Sequence, residues 1–175
     1  MRWPSGAGVT RRAVYLHFPS RIELVGGLFD HLAAAEGLHE SLERVWAAPD
    51  AVAALTEWAA HVARYHPRLL VVDRAVEHVR RADDDAARHR ATVAAAKLTN
   101  CRRLADRLAA KGRLVALWSP ETAADVIYAL TTSDVVEGLL ADRGWSPEQL
   151  ARGLARVLRR TFANGDHEKD EGESP

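Results

Sequence analysis

Apolar residues recur every three or four positions through almost the whole chain, and this spacing constrains the fold more than any other feature of the sequence. Alanine and leucine dominate the spaced positions, whereas glycine and proline fall between the periodic segments. No run alternates β-branched and polar residues in the way that a half-buried strand would. The sequence therefore predicts an all-α protein organised as a helical bundle.

Start and stop signals place individual helices along this pattern. Residues 119–121 and 146–149 each combine a capping serine, a proline at the first helical position and an acidic residue in the first turn. They predict the last two helices, at about 121–142 and 147–162. Further helices are predicted at about 49–65, at 67–81, and from the acidic run 83–85 to residue 110, where Gly112 ends the helix.

Size and charge limit the class of protein. The chain has 175 residues, enough for one sizeable domain with a small appendage. Its net charge is zero, so a nucleic-acid contact would require a local basic patch. Charged residues interrupt every apolar run before about 18 residues, and we expect no membrane-spanning helix. A single cysteine and the absence of a secretory leader pattern favour a cytoplasmic location.

Candidate catalytic and metal-binding residues are few. His61 and His66 are five positions apart and do not share a helical face, whereas metal-binding pairs need a spacing of three or four. Cys101 shares helical spacing with Leu98 and Leu104, which indicates a small buried side chain rather than a reactive thiol. No nucleophile elbow, phosphate loop or zincin motif occurs. We therefore expect neither enzyme activity nor a metal or cofactor.

A short basic helix is predicted near the amino end, at about residues 10–18. Thr10 can cap it and Pro19 ends it, while Ser20 and Glu23 form a capping box for the next helix, so the order is helix, tight turn, helix. Cations at the start of a short helix suit the major groove and its flanking phosphates, although a solvated basic helix has the same composition. The side chains available for such contacts are Arg11, Arg12, Tyr15, His17 and Arg21.

The stretch AGVTRRAVYLHFPSRIELV, which begins at Ala7, resembles the second half of the helix-turn-helix of TetR-type transcriptional regulators. Arg21 stands where that family usually has lysine. Segment 119–162 is similar to the last two helices of many members of the family. The residues that fit the amino-terminal pattern are Gly8, Val9, Thr10, Tyr15, Phe18, Ser20, Glu23 and Leu24.

This resemblance implies specific contacts with double-stranded DNA. Thr10 and Tyr15 would contact phosphates, and the arginine pair at 11–12 would lie at the groove and help to select bases. Arg21 would anchor the backbone from the start of the next helix. His17 would either pack beside the core or contact a phosphate.

Family members carry two further helices ahead of this point, whereas here the preceding sequence is MRWPSG. Pro4 and Gly6 disfavour a helix in it. Two explanations stay open: the natural start lies upstream, or the chain is a truncated dimeric effector-binding protein without DNA binding of its own. The predicted units are an incomplete helix-turn-helix domain (1–32), a helical effector-binding and dimerisation domain (33–164) and a disordered acidic tail (165–175).

The resemblance also implies a homodimer, paired through the last two helices, whose two-fold symmetry would match a palindromic operator. The final helix carries an apolar stripe that could pack on a partner or on the protomer's own core. The stripe consists of Leu150, Leu154, Val157, Leu158 and Phe162.

A small-molecule effector is the remaining implied partner. Its binding would favour a spacing of the two recognition helices that no longer fits DNA, so the protein would be a repressor released by its ligand. Aromatic walls with a few polar groups are the usual composition of such a site. The candidate effector contacts are Trp58, His61, Tyr65, Asn100 and Thr131.

Overall fold

The computed structural model describes residues 37–79 and 83–164, together with residues 23, 26, 27, 31, 34 and 35. The two continuous ranges contain helices and no strand, apart from a single antiparallel bridge between Leu114 and Ala163, which confirms the predicted all-α class. The helices are α1 (Leu38–Ala47), α2 (Ala51–Val79), α3 (Asp84–Ala110), α4 (Pro120–Leu130), α5 (Ser133–Glu137) and α6 (Pro147–Phe162), with a π-helical turn (Gly138–Asp142) before α6.

The helix starts predicted from capping residues are confirmed at α4 and α6, and the start predicted from the acidic run 83–85 is confirmed at α3. The Asp83 carboxylate accepts hydrogen bonds from two backbone amides in the first turn of α3. Ser119 and Ser146 each exchange hydrogen bonds with the residue three positions later, and a proline follows each serine. Gly112 ends α3 with a φ of 61°, a conformation that glycine adopts without strain.

The prediction of separate helices at 49–65 and 67–81 is wrong, because α2 continues through Pro67. A proline inside a helix removes one hydrogen bond and costs about 3 kcal/mol. Buried side chains on both sides of Pro67, including Val62, Tyr65 and Val76, offset this cost, since each is worth about 1.5–3 kcal/mol. α2 is the central helix of the described bundle and packs against α1, α3, α5 and α6.

The predicted helix at 121–142 is also interrupted, and the interruption is at Thr131. The buried Thr131 hydroxyl donates to the carbonyl of Ile127 at 2.8 Å. The ammonium group of Lys97 donates to the Thr131 carbonyl, which in a continuous helix would accept the amide of Val135. The chain therefore restarts as α5 and then widens into the π-helical turn.

The apolar stripe of α6 faces the core of its own protomer. Leu150, Leu154, Leu158 and Phe162 are buried and α6 packs mainly on α2, whereas Val157 is 44% exposed. Most of the stripe therefore cannot be the dimer contact, and the predicted homodimer has to use other parts of the last two helices.

Several predictions lie outside the described residues. They include the domain boundary at 32–33, the acidic tail 165–175 and all six candidate DNA contacts: Thr10, Arg11, Arg12, Tyr15, His17 and Arg21. Among the described residues, no helix combines the length and apolar character that crossing a membrane requires.

Candidate ligand site

Three of the candidate effector residues form a stacked column on one face of α2. Trp58 stacks on His61 with ring centroids 5.3 Å apart, and His61 stacks on Tyr65 at the same distance. Spacings of three and four residues bring the rings onto one side of the helix. All three residues are buried, with exposed fractions of 2%, 7% and 3%.

His61 is held in a defined tautomer by α1. Arg64 donates to the Ser41 hydroxyl oxygen through Nε and Nη2, at 3.2 and 3.0 Å. The hydroxyl hydrogen is then left for Nδ1 of His61, which lies 3.0 Å from the same oxygen. Burial, followed by the positive charges of Arg64 and Lys97, lowers the pKa of His61 to about 4. His61 is therefore neutral at pH 7, with its proton on Nε2.

His66 lies one residue beyond the column and carries the opposite tautomer. Its Nε2 is 3.3 Å from the Lys97 ammonium nitrogen, which can only donate, so Nε2 accepts and the proton is on Nδ1. Burial, followed by Lys97, His61 and Arg90, lowers the pKa of His66 to about 3. His66 is likewise neutral at pH 7.

Two N–H groups in this region are buried without a hydrogen-bond acceptor among the described residues: Nε1 of Trp58 and Nδ1 of His66. An unsatisfied buried donor costs about 1–3 kcal/mol, so such groups are rare and call for an explanation. A ligand with hydrogen-bond acceptors would satisfy them.

Lys97 joins His66, next to the column, to Thr131. Besides His66 and the Thr131 carbonyl, its ammonium group lies 5.5 Å from the centre of the Tyr128 ring, within cation–π range. The lysine therefore links α2, α3 and the end of α4. Thr131 itself is fully buried.

The structure thus brings four of the five candidate effector residues to one region of the bundle. Trp58, His61 and Tyr65 contact each other directly, and Thr131 is reached through Lys97. Asn100 is half-buried on α3, one turn beyond Lys97. Their role as ligand contacts stays a prediction.

Sequence reasoning missed Ser41, Arg64 and Lys97, and it considered His66 only as a metal ligand. Lys97 carried a signal that could have been used: it follows three alanines in a chain that uses arginine far more often than lysine. Ser41 carried none, because a serine inside a helix usually faces solvent.

The described residues contain no group of three or more histidine, cysteine or acidic side chains positioned for a metal ion. The prediction that Cys101 is a buried side chain is confirmed, since its exposed fraction is 0%. Burial raises the pKa of its thiol to about 12, which removes the thiolate needed for reactivity.

A solvent-open depression of about 390 Å³ lies elsewhere, between α3 and the start of α4. Four of its five lining residues are of charged or polar type, and none of the candidate effector residues contributes to it. The residues that line it are Arg102, Asp106, Ser119, Pro120 and Glu121.

Comparisons with protein-family models, curated proteins and solved structures found no match. The resemblance to TetR-type regulators therefore depends on the residue pattern in the sequence alone.

Proposed function

We propose that the chain is a TetR-like, ligand-responsive transcriptional regulator, a homodimeric repressor that releases a palindromic operator when it binds a small molecule. The pattern of residues 7–24 supports the DNA-binding half. The pair of buried, unsatisfied N–H donors beside the aromatic column supports the ligand-binding half and is the observation that carries the proposal.

The chemistry around the column suggests the class of effector. The Trp58 and His66 positions are eight residues apart, about 12 Å along the helix axis. Aromatic rings line this length, and the cations of Arg64 and Lys97 lie close enough to lower the pKa of His61. An extended, planar molecule with oxygen acceptors and an acidic group would complement these rings, donors and cations.

The contacts of α1 offer a route from this site to the amino-terminal segment. Ser41 on α1 bonds to His61 and Arg64 on α2. At the other end of α1, Arg107 of α3 donates to the carbonyl of Ala48 at 2.6 Å and lies within 3.5 Å of the carbonyl oxygens of Val45 and Trp46. A ligand that displaces His61 from Ser41 would shift the population of α1 positions, and α1 begins at Leu38, six residues after the end of the predicted DNA-binding domain.

Anthraquinone-2-carboxylate is a suitable probe, because it is planar and carries both quinone and carboxylate oxygens. We expect it to raise the melting temperature of the full chain, since a ligand that binds the folded state stabilises it. Trp58→Phe keeps the aromatic ring and removes the N–H group, and should weaken binding about tenfold. Anthracene, which has no acceptor, is the matched control. No stabilisation by the acid, or equal affinity in Trp58→Phe, would contradict the ligand assignment.

DNA binding is tested by gel retardation with the region upstream of the protein's own gene, comparing this chain with a form extended upstream in frame by the two helices that precede the pattern in the family. We expect salt-sensitive retardation that Arg11→Ala and Arg12→Ala weaken about tenfold or more each, because base-contacting arginines contribute about 1–3 kcal/mol. Arg143→Ala is the control, as this exposed arginine follows the π-helical turn. Retardation by the extended form only would place the natural start upstream. Ligand binding with retardation by neither form would overturn the repressor and leave the alternative, a truncated effector-binding protein that does not bind DNA.

A further inference from the structure

The outer face of α6 carries a row of exposed arginines, which we call the arginine ridge. Its members are Arg152, Arg156, Arg159 and Arg160. At about 100° per residue they fall within about 100° around the helix axis, opposite the buried leucines of the same helix. The ridge is thus a continuous basic surface along the last three turns of α6.

No arginine of the ridge forms an ion pair with a described acidic side chain, whereas Arg64, Arg74, Arg88 and Arg90 each do. Arg74 pairs with Glu137 and Arg88 pairs with Asp85. Glu148, the acidic residue in the first turn of α6, accepts a hydrogen bond from the Ser146 hydroxyl at 2.7 Å. Like charges four residues apart repel each other, so an anionic partner would stabilise this surface.

The chain itself supplies a complementary segment immediately after α6. Segment 165–175 has one lysine and five acidic residues, so its net charge of −4 equals in size the positive charge of the four arginines of the ridge. The acidic residues are Asp166, Glu168, Asp170, Glu171 and Glu173.

The point from which this segment leaves the bundle is fixed close to the ridge. Phe162, at the end of α6, is fully buried. Three hydrogen bonds hold Asn164 to the loop after α3. Its amide donates to the carbonyl of Arg113 at 2.8 Å, its side chain donates to the carbonyl of Leu114 at 3.1 Å, and its own carbonyl accepts from the Arg113 guanidinium at 3.0 Å. Arg159 and Arg160 lie in the last turn before this anchor.

The distances allow the segment to return along the helix. The ridge from Arg160 back to Arg152 spans about 12 Å, which about four extended residues cover. Covalent attachment gives the segment an effective concentration on the order of millimolar at the ridge, so weak ion pairs suffice for contact. A second copy of the chain would have to compete with this local concentration.

We propose that segment 165–175 binds back onto the arginine ridge of α6 in the same molecule. The segment then neutralises the basic surface and prevents other polyanions from binding there. Because the contact consists of exposed ion pairs, it weakens as salt increases.

A spin label on the acidic segment tests this proposal with the full chain. Ser174→Cys provides the attachment point, and the buried Cys101 thiol does not compete for the label. At low salt we expect the nitroxide to cause loss of amide NMR intensity as far back as residues 148–152, which lie about 18 Å or more along the helix axis from Asn164. The loss should disappear at about 0.5 M salt, where the Debye length is about 4 Å.

Two charge variants complete the test. Replacing the four ridge arginines with glutamine should abolish the intensity loss, whereas Arg143→Gln, an exposed arginine off the ridge, should leave it unchanged. Absence of the loss at low salt, or its persistence in the ridge variant, overturns the proposal. In the proposed homodimer, isotope-labelled chain mixed with spin-labelled, unlabelled chain should show only a weaker loss than the singly spin-labelled, isotope-labelled chain. A loss of equal size in the mixture identifies binding between molecules and overturns the proposal as well.

Discussion

His61 and His66 are neutral residues held in the interior by different hydrogen-bond partners. Ser41 donates to His61, and Lys97 donates to His66. Burial is the largest cause of the low pKa of both. Both histidines are neutral at pH 7, and protonating either of them would place a charge in the interior of the bundle. The stability of the fold should therefore depend on pH.

Acid should destabilise the folded chain through these two residues. Their pKa values in the folded state, about 4 and about 3, lie below the ordinary value of 6.5, so the unfolded chain takes up protons first as the pH falls. Their contribution to stability is complete above about pH 6.5 and is lost as the pH decreases toward the folded values. Each contributes about 1.4 kcal/mol per pH unit in this window, so the free energy of unfolding should fall by about 2–3 kcal/mol between pH 7.5 and 5.5.

Urea unfolding at a series of pH values measures this effect. The double variant His61→Gln, His66→Gln should show a flatter dependence on pH, whereas His39→Gln should keep the original slope because the His39 side chain is 87% exposed. An unchanged slope in the double variant would show that other groups cause the acid sensitivity.

At the scale of the helix, α1 is held at its carboxyl end by one side chain from α3. The last carbonyl groups of any helix have no amide donor within that helix. At the end of α1, Arg107 contacts three such carbonyl oxygens, those of Val45, Trp46 and Ala48. Arg103, one turn earlier on α3, stacks on the Trp46 ring at 4.0 Å.

Arg107→Met should therefore loosen α1 while leaving the rest of the bundle intact. Charged hydrogen bonds contribute about 1.5–3 kcal/mol, and we expect the free energy of unfolding to fall by about that amount. Hydrogen exchange should become faster in residues 38–48 but not in α6. Arg102→Met, an exposed neighbour on the same helix, is the matched control. Uniform acceleration through all helices would show that Arg107 supports the whole bundle instead.

The helices that sequence predicts well are those with local signals. Ser119 and Ser146 cap their helices through residues three positions away, and such contacts can be read from the order of residues alone. The sequence wrongly predicts a helix end at Pro67 and a continuous helix through Thr131, because both depend on residues from other helices. Packing against four other helices stabilises α2 on both sides of Pro67. Lys97 from α3 donates a hydrogen bond to the Thr131 carbonyl, which would otherwise accept within the helix.

In the candidate site, too, the residues that lie on one helix could be predicted from the sequence and those from other helices could not. The spacing of Trp58, His61 and Tyr65 on one helical face could be recognised in the sequence, and their stacking follows from it. Ser41 and Lys97 could not be assigned, because each reaches the column from another helix. Contacts between helices depend on the packing of the bundle, which no local pattern encodes.

At the scale of the whole molecule, an interface of the proposed homodimer that involves α6 has to consist of the side chains that this helix exposes to solvent. Four of the five residues of its apolar stripe are buried in the protomer core. The fifth, Val157, is 44% exposed, and Trp145, just before α6, is 37% exposed. The Trp145 ring lies over Gly153, one turn before Val157, so the two side chains form one apolar flank of the helix. Its position beside the arginine ridge gives an apolar centre with a charged rim, as is common in protein interfaces.

Val157→Asp should disrupt such a dimer, because in an isologous interface the substitution places two carboxylates in the same apolar contact. We expect light scattering or sedimentation to show the mass of a dimer for the natural chain and of a monomer for the variant at micromolar concentration. Leu117→Asp is the matched control: Leu117 is 82% exposed in the loop before α4, so its replacement should leave the mass unchanged. A natural chain that sediments as a monomer would contradict the dimer, and an unaffected Val157→Asp dimer would locate the interface elsewhere.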